Sequence, residues 1–162
     1  MFIGEQPGDM EDRQGHPFVG PAGRLLDKAL AAAGIPRAQV YVTNAVKHFK
    51  FIRRGKRRLH QKPLIRQVMA CRPWLEAEID VIHPKVIVCL GATGAQAMMG
   101  RNVRVTQERG KFIPMDSREV FITIHPSAIL RLRESGEREA EYNRFVAEMK
   151  LVQRKLIQLN GR

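Results

Sequence analysis

The sequence predicts a three-layer α/β/α sandwich with a mainly parallel central sheet. Short apolar segments alternate with segments of helical periodicity along the whole chain, which is the order expected when helices connect parallel strands. Residues 85–90 (KVIVCL) are almost continuously apolar, as is typical of a parallel strand covered on both faces. Polar residues directly follow three of the strands, at the position where ligands bind to such sheets.

The first strand is predicted to end at residues 1–3, before a tight turn that contains Pro7 and Gly8. Three residues are few for a strand of a central sheet, so we expect the natural protein to have further chain before Met1. Residues 9–20 are predicted to form a loop, because glycines and prolines interrupt any periodicity there.

A helix is predicted over residues 21–33, where Pro21 suits the first turn and Leu and Ala residues form one apolar stripe. A second strand follows at 40–43, with Asn44 at its carboxyl end. Residues 63–82 predict a long helix. Its inward-facing residues are expected to be Ile65, Val68, Met69, Trp74, Leu75 and Ile79.

The remaining elements complete the alternation. The apolar strand at 85–90 leads into a short helix at 92–99, two further strands are predicted at 111–114 and 119–124, and a charged helix covers 136–159. Neither an internal repeat nor a linker interrupts the chain, so residues 1–162 are predicted to form a single domain.

The composition of the chain indicates which kind of molecule the protein binds. The chain has 28 Lys and Arg residues against 16 Asp and Glu, a formal net charge of +12. This charge favours a polyanion as partner, and nucleic acid before an acidic membrane, because no amphipathic anchor is evident. Apolar runs are too short for a membrane span. The cysteines Cys71 and Cys89 do not make a disulfide framework, and no secretory signal is evident. We therefore expect a cytoplasmic protein with no membrane partner.

The basic charges concentrate in one segment. Residues 47–66 hold nine Lys or Arg residues and neither Asp nor Glu. Gly55 loosens the backbone, and the run KRRLH at 56–60 ends in His60, so we expect a flexible cationic loop that carries a group titrating near neutral pH. Such a run serves either as a solvated surface that keeps the protein soluble or as a contact for nucleic acid.

Three strand ends converge. Glu5 and Gln6 follow the first strand, Asn44 the second, and His125 the last. Because the carboxyl ends of parallel strands meet at one edge of a sheet, these side chains are predicted to line one crevice. Taken singly, each is an ordinary turn residue; their convergence beside the basic segment favours a functional site.

Five stretches together resemble the uracil-DNA glycosylase superfamily, in its iron–sulfur branch. They are GEQPGD at 4–9, GHPFVGPAG at 15–23, YVTNAVKHFK at 41–50, KRRLH at 56–60 and HPS at 125–127. The run at 56–60 is similar to the signature loop of UdgX members, which become covalently attached to uracil-DNA. Those members usually have Ile where this chain has Leu59, a swap of equal volume.

The resemblance implies a role for each site residue. Phe18 would stack on the flipped uracil, Asn44 and Gln6 would bind it, and His125 would hydrogen-bond its oxygen as the base leaves. His60 would capture the sugar carbon C1′, with Glu5 holding His60 neutral and oriented. The DNA contacts implied are Lys56, Arg57, Arg58 and Ser127.

The same resemblance implies a 4Fe-4S cluster. His48 and Cys71 match two of its four ligand positions, whereas the upstream Cys-x-x-Cys that supplies the other two is not in this sequence. We expect the cluster in a full-length form and an incomplete or absent cluster in this chain. Cys89 lies in the apolar strand and is expected to be core.

The expected partner is uracil-containing DNA, preferably single-stranded, bound by a monomer. Two further functions remain open: a conventional glycosylase that turns over, and a non-catalytic module that binds single-stranded DNA. A nucleotide-binding α/β protein is disfavoured, because the chain has neither a Gly-x-Gly-x-x-Gly motif nor a Walker loop.

Overall fold

The computed structural model describes residues 1–161 and contains seven strands and seven α-helices. The strands are β1 (Phe2–Gly4), β2 (Val42–Asn44), β3 (Phe51–Arg54), β4 (Arg57–His60), β5 (Val86–Leu90), β6 (Phe112–Met115) and β7 (Arg118–Thr123). The helices are α1 (Asp9–Gln14), α2 (Pro21–Ala32), α3 (Ile65–Ile82), α4 (Gly91–Met99), α5 (Val105–Glu108), α6 (Pro126–Leu130) and α7 (Ser135–Asn160).

Five strands form the central sheet, in the order β2-β1-β5-β7-β6. All neighbours are parallel except β6 and β7, which form an antiparallel hairpin. Gly4 pairs with Asn44 and Leu90 with Thr123, so the carboxyl ends of the parallel strands meet at one edge. The predicted α/β fold with a mainly parallel sheet is confirmed.

The core lies on both faces of β5, whose five residues are all buried. Val86, Val88 and Leu90 belong to the cluster shared with α2 and α7, whereas Ile87 and Cys89 belong to the cluster shared with α3 and α4. Successive strand residues point to opposite faces, and this alternation produces the three layers. Each buried Leu or Ile contributes about 1.5–3 kcal/mol. Cys89 is core, as predicted.

Helix α1 occupies part of the segment 9–20 that was predicted to be loop, so that prediction is wrong over Asp9–Gln14. The helix buries none of its residues and therefore leaves no apolar stripe in the sequence. Three acidic residues in its first turn suit the positive end of the helix dipole. Gly15 ends it in the left-handed conformation, with φ 72°.

The basic segment is also more ordered than expected. Strands β3 and β4 form a two-stranded antiparallel hairpin in which Phe51 pairs with His60 and Arg54 with Arg57. Gly55, with φ 59°, makes the turn. The prediction of a flexible loop is therefore wrong, and His60 lies at the base of a hairpin. Strand patterning was hidden because most of the hairpin is exposed, so polar residues occupy both faces.

Helix α3 packs through a narrower stripe than expected. Val68, Leu75 and Ile79 are buried as predicted, together with Cys71. Three of the residues predicted to face inward instead lie in solvent. They are Ile65, Met69 and Trp74, which are 54%, 48% and 68% exposed. The helix touches the sheet on one side only, so a single residue per turn reaches the core.

A buried ion pair fastens α7 to the sheet. The guanidinium of Arg109 donates to both carboxylate oxygens of Glu148 at 2.8 and 3.1 Å and to Glu141 at 2.5 Å. The hydroxyl of Thr123, on β7, donates to the same Glu148 carboxylate. Arg109 and Glu148 are almost fully buried, so each charge depends on the other for compensation.

Of the helices in residues 1–161, none is both long and apolar enough to cross a bilayer.

Candidate active site

A cleft of about 730 Å³ opens at the carboxyl edge of the central sheet. It lies where β1, β2, β5 and β7 end and is flanked by α1 and by the base of the β3–β4 hairpin. Seven of the residues singled out from the sequence line it: Glu5, Gln6, Phe18, Asn44, His60, His125 and Ser127. The structure therefore brings residues from four strand ends and the hairpin to one place.

Glu5 is the centre of the polar contacts. One carboxylate oxygen, Oε1, lies 3.1 Å from Nε2 of His60, and the other, Oε2, accepts a 2.6 Å hydrogen bond from the hydroxyl of Thr93. The imidazole nitrogen that faces a carboxylate carries the proton, so the opposite nitrogen keeps its lone pair. The His60 side chain is 50% exposed and lines the cleft.

Gln6 lines the cleft, but its side-chain amide is directed at the hairpin. Nε2 donates to the carbonyl oxygens of Lys50 and Gln61, and Oε1 accepts from the Lys50 amide, all at 3.2 Å. Lys50 precedes β3 and Gln61 follows β4. The buried amide therefore joins the two ends of the hairpin beside His60 and fixes where that imidazole lies.

Asn44 and Phe18 form the inner wall of the cleft. The Asn44 Oδ1 atom is buried and accepts no hydrogen bond from the described residues, an arrangement that leaves a polar group ready for a ligand. Phe18 is held with φ 58°. Gly4 permits their close approach, because a Cβ at that position would lie 2.5 Å from Asn44 Oδ1 and 2.7 Å from the Phe18 ring.

His125 is a neutral hydrogen-bond donor. Its Nδ1 accepts a 3.2 Å hydrogen bond from the Ser127 backbone amide and lies 2.8 Å from the Ser127 hydroxyl, so the ring proton resides on Nε2. Burial is the main reason that the pKa of His125 falls to about 4, because desolvation disfavours the imidazolium. Above pH 5 the ring therefore presents a neutral N–H.

The three cations of the KRRLH run are not equivalent. Arg58 donates to Asp9 and, at 2.6 Å, to Asp12, both on α1. Its guanidinium also lies 5.2 and 5.0 Å from the ring centroids of Phe49 and Phe51, a cation–π arrangement. Lys56 and Arg57 are exposed near the turn and do not line the cleft. Hydrogen bonds from Arg13 and then Arg58 lower the pKa of Asp9.

The two residues expected to hold metal lie away from the cleft lining. Cys71 is buried, and its sulfur accepts a 3.5 Å hydrogen bond from the Lys47 amide, whereas His48 is exposed. Between residues 1 and 161 no three His, Cys, Asp or Glu side chains are grouped to hold a metal. Two donors do not fit a cluster that needs four ligands.

Sequence reasoning missed Thr93 and the carboxylates that hold Arg58. Thr93 could have been found by the same logic as the others, because it lies in the first turn of α4, directly after β5. Asp9 and Asp12 gave no comparable signal, since their partner is 49 and 46 residues away in the chain.

The comparisons with known proteins agree on one family. The model of the uracil DNA glycosylase superfamily matches residues 1–150. A type-4 uracil-DNA glycosylase of Thermotoga maritima is 40% identical over 91% of this chain and 72% of its own length. Those of Sulfurisphaera tokodaii and Pyrobaculum aerophilum are 40% and 39% identical, over 80% and 81% of this chain and 60% and 67% of their own lengths.

Proposed function

The chain belongs to the uracil-DNA glycosylase superfamily, and from that premise we propose that it excises uracil from DNA and captures the resulting sugar on His60. The observation that carries the capture step is the 3.1 Å contact between Glu5 and His60 at the mouth of the cleft. Without it, the polar groups of the cleft would support excision alone.

Uracil must first leave the base stack. The flipped ring would lie on Phe18, and the Asn44 amide, whose oxygen has no partner among the described residues, would accept from the uracil N–H. This pairing supplies a buried acceptor with the donor that it lacks. A base that is already unpaired costs less to extrude, which is the reason to expect a preference for single-stranded DNA.

Cleavage of the N-glycosidic bond sends its electron pair to uracil and leaves an oxocarbenium-like sugar. Negative charge grows on the uracil oxygen, and the neutral Nε2–H of His125 would donate to it. A neutral donor suits this task. With a pKa of about 4 the His125 ring is neutral at every pH above 5, and it keeps its remaining proton on Nε2. The departing uracil anion then takes a proton from water.

The capture step forms one bond. The free lone pair of the His60 imidazole attacks C1′, the ring becomes positively charged, and the Glu5 carboxylate stabilises that charge through the proton on the facing nitrogen. Water does not add to the sugar in this step, and the positive charge of the imidazolium balances the negative charge that left with uracil, so the product is a covalent conjugate of protein and abasic DNA. Because the Glu5 carboxylate is then paired with the imidazolium, it is not free to activate water against the new bond, and a single turnover is expected.

The hairpin would hold the DNA strand. Arg53, Arg54, Lys56 and Arg57 are exposed, and such cations bind phosphates without reading sequence. Arg58, whose guanidinium is engaged by α1, would keep the hairpin in place. Ser127 lies at the cleft and would meet the phosphate near the flipped nucleotide. The chain's own residues carry every step above, and none is routed through a cluster.

A conventional glycosylase that turns over is the second candidate. It is favoured by the relatives, which are type-4 uracil-DNA glycosylases. In that case water rather than His60 would capture the sugar, with Glu5 orienting the water.

The test is incubation with a single-stranded oligonucleotide that contains one uracil. Capture yields a species that survives boiling in detergent and has the mass of protein plus abasic DNA. His60→Ala should lose this species while still releasing uracil. His83→Asn is the matched control, because His83 is exposed beyond α3 in a left-handed conformation that Asn tolerates. Release of uracil with turnover and no adduct from the unmodified protein would favour the second candidate.

A further inference from the structure

Thr93 contacts Glu5, the carboxylate that faces the proposed nucleophile His60. Its hydroxyl donates to Glu5 Oε2 at 2.6 Å, and the residue is 4% exposed. Neither the sequence motifs nor the proposed mechanism gives it a role. A buried hydroxyl that donates to a carboxylate forms one of the stronger hydrogen bonds in proteins.

The backbone that carries Thr93 is fixed against the sheet. A Cβ on the next residue, Gly94, would lie 2.5 Å from the carbonyl oxygen of Ile3, so α4 packs directly on the end of β1. Gly91 takes φ 86° at the start of the helix, where a Cβ would lie 3.1 Å from His125 Cβ. Thr93 is therefore a rigid point, whereas the side chains of Glu5 and His60 are 24% and 50% exposed.

A carboxylate without a fixed partner rotates and presents either oxygen. Here one oxygen is held by Thr93, and the other is left facing His60. We propose that Thr93 is a positioning residue for the capture step: its hydroxyl orients Glu5 so that Glu5 in turn orients the His60 imidazole. This inference rests on the proposed function and adds to it a residue that decides between capture by His60 and capture by water.

Other charged groups face the same region. His60 contacts Glu5 directly, and His125 is close enough to Glu5, Glu11 and Arg131 for their charges to influence it. Because His125 has a pKa of about 4, it stays neutral between pH 5 and 9. A change in the capture rate over that range therefore does not come from His125.

The experiment compares Thr93→Val with Thr93→Ser in the complete chain. Valine keeps the shape and removes the hydroxyl, whereas serine keeps the hydroxyl and removes a methyl group. For each variant, uracil release, the ratio of adduct to free abasic DNA, and the pH profile of capture are measured on the uracil oligonucleotide. The carbon NMR chemical shift of the Glu5 carboxyl at a fixed pH gives a readout that needs no DNA.

We expect Thr93→Val to lower the ratio of adduct to free abasic DNA about tenfold, because a misoriented nucleophile loses reactions that depend on geometry. Loss of the hydrogen bond donated to the carboxylate should also change the carbon chemical shift of the Glu5 carboxyl at a fixed pH. Thr93→Ser should restore the unmodified ratio and profile to within about twofold.

An unchanged ratio in Thr93→Val would overturn the proposal, as would an equal loss in both variants, which would indicate packing rather than the hydroxyl. Failure of the proposed function looks different: the unmodified protein then gives no adduct at all. In that event, an unchanged carbon chemical shift of the Glu5 carboxyl in Thr93→Val would show separately that Thr93 does not hold the carboxylate.

Discussion

His125 illustrates how one residue's surroundings set its chemistry. The imidazole is kept neutral by burial and is oriented by the backbone amide of Ser127. The residue lines the cleft, where negative charge would develop on the leaving base, and its remaining N–H is the donor proposed for that charge. Removal of one such donor typically costs 10²- to 10³-fold in rate. We expect His125→Ala to slow uracil release by about that factor in single-turnover assays, and a loss below about fivefold would contradict the role.

The same residue should make stability depend on pH. The unfolded chain binds a proton on His125 near pH 6.5, whereas the folded chain does so only near pH 4. The neutral His125 ring therefore makes its full contribution to the free energy of unfolding above pH 6.5, and this contribution is lost as the pH falls toward 4. At pH 5 the effect is up to about 2 kcal/mol. The free energy of unfolding, measured with urea, should therefore differ less between pH 7 and pH 5 for His125→Asn than for the unmodified protein.

Side chains at strand ends were the part of the site that the sequence could predict. Glu5, Gln6, Asn44 and His125 line one cleft because parallel strands end at a common edge. Backbone conformation was not predictable in the same way. Phe18 takes a positive φ, and that conformation depends on Gly4 and on the close packing of Gly23, whose Cβ would collide with the Phe18 carbonyl at 1.7 Å.

The hairpin is the element on which the proposed capture depends. Arg58 joins it to α1 through two carboxylates, and Arg57 beside it is exposed. We expect Arg58→Ala to increase hydrogen exchange at the Gln61 amide, which bonds to the Lys50 carbonyl across the hairpin base, and to slow adduct formation. Arg57→Ala is the matched control and should leave exchange unchanged. Equal exchange in both variants would show that α1 does not hold the hairpin.

Helix α7 depends on the buried ion pair that links Glu148 to Arg109. Glu148→Gln leaves the Arg109 charge with Glu141 alone, and breaking a buried pair costs about 3–5 kcal/mol. We expect Glu148→Gln to lower the free energy of unfolding, measured with urea, by an amount near the lower end of that range. Glu139→Gln, on the exposed face of the same helix, should change stability by less than about 0.5 kcal/mol. A neutral effect at Glu148 would contradict this account.

Elements with a buried stripe were predictable, and elements without one were not. The strand β5 and the helix α2 match their predictions to within a residue. Helix α1 and the β3–β4 hairpin bury little, and their order comes from Arg58, whose partners are distant in the chain. The periodicity of apolar residues predicted where α3 lies. It also predicted too many buried residues, because apolar residues occupy exposed positions of this helix, such as Trp74.

Across the whole molecule, the net charge of +12 should make DNA binding sensitive to salt. Each phosphate neutralised on single-stranded DNA contributes about −0.7 to the slope of log K against log salt. Replacing Lys56 and Arg57 by Ala should flatten the slope by about 1.4. Lys150 and Arg154, replaced by Ala, are the matched control pair. Both are exposed on α7, and the end of this helix bonds to Lys85 at the opposite edge of the sheet.

The register of the hairpin separates its turn from its base. Lys56 lies at the turn and His60 four residues along β4, roughly 13 Å away. The chain's cysteines, Cys71 and Cys89, are both buried. A single cysteine introduced at position 56 would therefore take a thiol-reactive dye selectively, close to the arriving strand but clear of the reacting atoms. If the sugar is captured as proposed, such a labelled protein would leave a permanent fluorescent mark on the DNA at each position from which uracil is excised.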